Sequence, residues 1–130
     1  MRARRALSMT GWSLTLFAAL LSAGCMRERT KRAVANLGGN WRRGRQVIEQ
    51  YHCGACHEIP GVPHAWGLVG SPLEKFGRRT MIAGVLPNTP ANLERWLRSP
   101  KAVDPLTAMP DLGLNRQQRH DVTAYLYTLR

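Results

Sequence analysis

Residues 53–57 read Cys53-Gly54-Ala55-Cys56-His57. Two thiols three positions apart, followed at once by an imidazole, admit three chemistries: a redox dithiol, half of a zinc site, or the attachment point of a haem. A disulfide across so short a loop would stabilise little, and a thioredoxin-like dithiol would want a strand-rich sandwich that this chain's pattern does not show. A zinc site needs a second ligand pair, and His52, His64 and His120 stand at no recognisable zinc spacing. C-x-x-C-H is the signature of c-type haem attachment. The thiols add to the two vinyl groups of the macrocycle, and the adjacent histidine faces the iron. The reading is one covalent haem c, attached through Cys53 and Cys56 and ligated by His57.

A sixth iron ligand must come from elsewhere in the chain. Of five methionines, Met1 and Met9 fall in the N-terminal apolar segment and its basic flank, and Met26 follows directly. Met109, in the irregular run Thr107-Ala108-Met109-Pro110, is the expected ligand, because a loop there can fold over the haem face opposite His57. Its thioether is a soft donor that favours reduced iron and raises the potential. Met81 is expected to be core packing, and His64 is an alternative ligand or a loop residue near the haem edge.

The elements that must position these groups are helical. Asn40 caps a helix carrying Arg43, Val47, Ile48 and Tyr51, which runs into the cysteines. Residues 59–72 are rich in Gly and Pro and read as loop, with a short apolar-periodic piece over Leu73 to Phe76. Thr89 and Pro90 open a second helix that places Leu93, Trp96 and Leu97 on one face and stops near Pro100. Residues 101–114 read as loop. Asn115 and Gln118 have capping-box spacing, and Val122, Tyr125, Leu126 and Leu129 form the apolar stripe of a last helix. The expectation is an all-α domain of three to five helices around one haem.

The chain has 130 residues, one domain's worth, and carries 19 Lys and Arg against 8 Asp and Glu, a net charge of +11. Arg2, Arg4 and Arg5 precede an uncharged apolar stretch from Trp12 to Ala23, too short for a spanning helix of about 20 residues. Small residues follow, so residues 1–24 read as an export signal or N-terminal anchor. Leu21-Ser22-Ala23-Gly24-Cys25 resembles a bacterial lipobox, with the leucine one place further from the cysteine than usual. Lipidation at Cys25 is the expectation. Residues 25–39 then read as a basic tether near an anionic membrane surface, and residues 40–130 as the haem domain. Export faces the domain away from the cytoplasm and argues against nucleic acid as a partner. Without residues 1–24 the charge is still +8, which would steer the domain toward a redox protein with an acidic docking face.

From Asn40 to the C-terminus the chain resembles the class I cytochromes c. Gly44, Val47, Ile48 and Tyr51 ahead of C-x-x-C-H resemble the family's first helix, and Ala124-Tyr125-Leu126 matches its last. Trp96-Leu97-Arg98-Ser99-Pro100 and the run from Asp104 to Met109 match the helix and loop that deliver the methionine. The resemblance implies that Gly44 lets the first and last helices cross closely, with Tyr125 against it. It implies that Leu73 packs on the haem and that Arg78, in Phe76-Gly77-Arg78, neighbours a propionate or is a surface charge. It places Trp96 in the haem pocket or between helices. The family usually has G-P-x-L after the haem motif, with the proline carbonyl accepting the histidine N–H. Here Gly70-Ser71-Pro72-Leu73 puts Ser71 in that place.

Residues 59–112 further resemble cytochrome c domains fused to subunit II of bacterial haem–copper oxidases. That likeness implies a single-haem electron carrier, not an enzyme and without a small-molecule substrate, serving a respiratory chain outside the cytoplasm and passing electrons to a terminal oxidase. Alternatives are a cytochrome subunit fixed in a respiratory or dehydrogenase complex, or a haem sensor whose sixth position opens.

Overall fold

The computed structural model describes residues 34–130; the expected export signal, Cys25 and the first part of the expected tether lie outside the described residues. Among the described residues the main α-helices are α1 (Trp41–Gln50), α2 (Pro90–Arg98), α3 (Pro100–Val103) and α4 (Arg116–Leu126). Short 3-10 turns cover Cys53–Ala55 and Phe76–Arg78. A two-stranded antiparallel hairpin, β1 (Met81–Ile82) and β2 (Leu86–Pro87), pairs Met81 with Pro87 and Ile82 with Leu86. Among the described residues the fold is therefore mostly helical with one small sheet.

Each long helix begins where its cap dictates. The Asn40 side chain accepts from the N–H groups of Arg42 and Arg43 at 2.9 and 3.1 Å. Thr89 Oγ1 accepts from the Asn92 N–H, with Pro90 in the first turn. At α4 the capping box is complete: Asn115 accepts from the Gln118 N–H, and the Gln118 side chain accepts from the Asn115 N–H, both at 2.9 Å. These bonds satisfy amide groups that a helix end leaves without intrahelical partners.

The frame is the crossing of α1 and α4. A Cβ on Gly44 would overlap the carbonyl oxygen of Asp121 and lie 3.0 Å from Tyr125 Cβ, so only glycine permits this approach. Asp121 then locks the pair. Its carboxylate accepts from Arg43 Nε at 2.8 Å, from the Asn40 N–H at 2.7 Å and from Gln117 at 3.0 Å. Burial alone would raise the Asp121 pKa, but these donors outweigh it and hold the carboxyl below its usual range.

The sequence-level boundaries shift in three places. Val34 packs against the core and Gln117 donates to the Gly38 carbonyl at 3.1 Å, so the last residues assigned to the tether belong to the domain. Pro100 does not merely end α2; it opens the four-residue α3, because proline suits a first helical turn. The piece foreseen from Leu73 to Phe76 forms three residues later, as a 3-10 turn.

Candidate haem site

The loops and helices enclose one apolar cavity of about 440 Å³. Val47, Ile48, Leu93, Leu97, Val122 and Leu126 supply its aliphatic walls from α1, α2 and α4. Cys53, Cys56 and His57 contribute to its lining, and so does the separate run from Thr107 to Pro110. Arg79 is its only lining residue with a permanent charge.

The His57 side is held from three directions. Cys53–Ala55 closes a 3-10 turn, and the Cys56 and His57 N–H groups both donate to the Cys53 carbonyl, at 3.2 and 3.0 Å. His57 Nδ1 donates to the Ser71 carbonyl at 2.7 Å, which fixes the tautomer and leaves Nε2 as the free lone pair. Gly70 lies flat against the imidazole: a Cβ there would overlap the ring, coming within 2.6 Å of Nδ1. Serine in place of the family's proline therefore preserves the carbonyl in its expected position. The two cysteines differ. Cys56 is exposed, whereas burial pushes the Cys53 thiol up to about 11, so it stays protonated at neutral pH.

The Met109 side is held by fewer contacts. The Met109 N–H donates to Thr107 Oγ1 at 3.2 Å. Its sulfur accepts from the indole N–H of Trp96, buried on α2, at 3.1 Å. Trp96 is thus both a wall of the cavity and the donor to the methionine.

The remaining sequence-derived residues divide. Leu73 lines the cavity. Arg78 is exposed and does not line it; its neighbour Arg79 does, donating from Nη2 to the Pro72 and Glu74 carbonyls. In the sequence the two arginines are adjacent and equivalent, and only the 3-10 turn separates their directions. Met81 is not core packing: it stands 40% exposed at the cavity mouth, since β1 presents it outward while Ile82 turns in. His64 lies outside the cavity lining, edge-on to Trp66.

These residues fit a covalently held macrocycle. Two thiols, one oriented imidazole and a thioether share the lining of one apolar cavity, and Gly70 keeps the imidazole plane clear. The family model of cytochrome c matches residues 41–130. The chain belongs to the cytochrome c family, whose members carry haem c covalently, and its cysteine pair is in place.

Relatives agree. The chain is 38% identical to cytochrome c2 of Rhodomicrobium vannielii, over 74% of this chain and 84% of that one. It is 36% identical to the cytochrome c-type cyt cy of Rhodobacter capsulatus, over 73% of this chain and 52% of that one. It is 35% identical to cytochrome c oxidase subunit 2 of Alkalihalophilus pseudofirmus, over 68% of this chain but only 25% of the subunit. The chain thus spans a quarter to a half of some relatives and most of another. Among the described residues no helix is long and apolar enough to cross a membrane.

Proposed function

We propose that this chain is a single-haem electron carrier working outside the cytoplasm, with His57 and Met109 as the two axial ligands. The observation that carries the reading is the convergence of Cys53, Cys56, His57 and Met109 on one apolar cavity from two separate loops. Bound there, haem c supplies a one-electron couple. The protein's part is to hold it still and dry. Cys53 and Cys56 would anchor it, and the Ser71 carbonyl keeps His57 Nδ1 protonated, which leaves the Nε2 lone pair to hold the iron. Trp96 sets the sulfur of Met109, and the aliphatic walls exclude water, which together with a thioether favours the reduced state. If His57 and Met109 both hold the iron, no site would be left for substrate, which is why the reading is a carrier and not an enzyme or sensor.

The proposed acceptor is a terminal haem–copper oxidase. In its support, the matched portion of the Alkalihalophilus relative lies within a cytochrome c oxidase subunit 2. The export signal, lipidation at Cys25 and a basic tether would keep the carrier at the outer face of the membrane, within reach of such a partner. Spectroelectrochemical titration of the haem-loaded chain tests the carrier reading. A reversible one-electron wave, with no carbon monoxide uptake by the reduced form, is expected. Ready carbon monoxide binding would instead favour a sensor with an opening sixth position.

A further inference from the structure

The stretch between the expected lipid and the domain is shorter than the sequence suggests. Val34 packs against the core, and the Gly38 carbonyl accepts from Gln117 of α4 at 3.1 Å. A Cβ on Gly39 would overlap the His120 carbonyl, so the backbone lies tight against α4 there. The Asn40 N–H then donates to Asp121 at 2.7 Å. Residues 34–40 are thus part of the domain, and residues 25–33 alone remain as a leash. A leash of that length spans at most about 30 Å at full extension. A domain of about 100 residues has a radius of gyration of about 13 Å, so the leash is no longer than the domain is wide. A lipid at Cys25 would hold the start of α1 beside the bilayer.

The side chains at that end suit lipid headgroups. Trp41, the first residue of α1, is 46% exposed, and the Arg42 guanidinium lies 4.5 Å from the centre of its indole ring. Arg45 follows Trp41 by one helical turn and pairs at 3.1 Å with Glu49, a further turn from the N-terminus. Arg43 turns the other way and pairs with Asp121. No acid occupies the first turn of α1, so the positive end of its dipole adds to the same sign. Just upstream, Arg27, Arg29, Lys31 and Arg32 face the single acid Glu28. An exposed indole with cations beside it settles at the boundary of an anionic bilayer, the ring at headgroup depth and the cations among the phosphates. An acidic protein would answer the cations equally well. The short leash and the apolar body of the indole favour the lipid.

We propose that the start of α1, Trp41 and Arg42 with the basic run before it, is the face this domain turns to anionic lipid headgroups. The anchored carrier then rests on the bilayer in one orientation instead of turning freely at the end of its leash. The proposal rests on the anchoring reading above.

The test measures how fast a bulky water-soluble maleimide modifies the full, haem-loaded chain on vesicles. Cys53 and Cys56 are occupied by haem and a lipidated Cys25 does not react, so a thiol introduced by Gln46→Cys reports alone. Gln46 is exposed one turn after Arg42. Lys101→Cys, exposed on α3, is the comparison. On vesicles of phosphatidylglycerol and phosphatidylcholine the Gln46→Cys thiol should react about tenfold more slowly than on pure phosphatidylcholine, as it would if this face met lipid about nine-tenths of the time. Lys101→Cys should react equally fast on both. Salt at about 1 M, where screening reaches only about 3 Å, should restore the rate. Adding Trp41→Ser and Arg42→Gln should restore it too, with the chain still sedimenting with the vesicles and its visible spectrum unchanged. A Gln46→Cys rate indifferent to lipid charge, on a chain that sediments with vesicles, overturns the proposed face and leaves the anchor intact. Equal slowing at both positions overturns it as well, since no one face is then preferred. A chain whose Cys25 also reacts and which stays in solution overturns the anchoring reading, and the proposal with it. Slowing by poly-glutamate but not by anionic vesicles overturns the lipid in favour of an acidic protein.

Discussion

The two sides of the haem cavity are built differently. The His57 side is fixed by short-range geometry: one turn of C-x-x-C-H, a carbonyl fourteen residues on, and a glycine pressed to the ring. The Met109 side depends on one long-range bond, from Trp96 on α2 to a sulfur on an irregular loop. The first side is a rigid mount. The second is an adjustable one, where, on the ligation proposed above, a single hydrogen bond would set how strongly the sulfur donates. On the proposed ligation this division would assign retention of the group to one wall and tuning of its potential to the other.

The comparison breaks most completely at the mount. Replacing Cys53 and Cys56 by serine should abolish covalent retention, so that acidified solvent extracts all the haem from the variant and none from the parent. A change confined to the ring's support should be milder. Gly70→Ala drives a Cβ into the His57 imidazole, and overpacking of this kind costs about 1–3 kcal/mol. Thermal melts should show that loss together with a perturbed low-spin spectrum.

The frame behind both walls has its own test. Asp121→Ala removes the acceptor shared by Arg43, Asn40 and Gln117 and should cost about 2 kcal/mol in denaturant unfolding. Because the Asp121 pKa is depressed in the folded chain, its contribution is full above the unfolded value of about 4 and fades as pH falls through the lower folded value. The parent should therefore lose part of its stability below about pH 4, and the variant should show less of that acid dependence. The smallest effect is expected at the tuning side. Trp96→Phe keeps the wall but deletes the N–H donated to Met109, a bond worth about 1 kcal/mol. The freed sulfur donates better to ferric iron, so the potential should fall modestly, with both axial ligands retained.

Much of this was legible in the sequence because it is local. The haem motif is five consecutive residues, and the three long helices announce themselves by their caps at Asn40, Thr89 and Asn115. What escaped was directional or non-local. Arg78 and Arg79 cannot be told apart until a 3-10 turn turns one outward and the other to the cavity. Met81 looks like core in a run of apolar residues, yet a two-residue strand faces it out beside a buried Ile82. The apolar stripe of α4 also concealed that His120, Asp121 and Thr123 are buried. This helix is enclosed on several sides, and Asp121 and His120 meet partners on α1 and α2.

The central claim is that Met109 completes the iron's coordination opposite His57. Its most direct test is the weak near-red sulfur-to-iron absorption of the oxidised, haem-loaded protein. The account predicts that this band is present in the parent, persists in Met81→Ala, and disappears in Met109→Ala together with a fall in potential. A band that survives Met109→Ala, or vanishes with Met81→Ala, would contradict it.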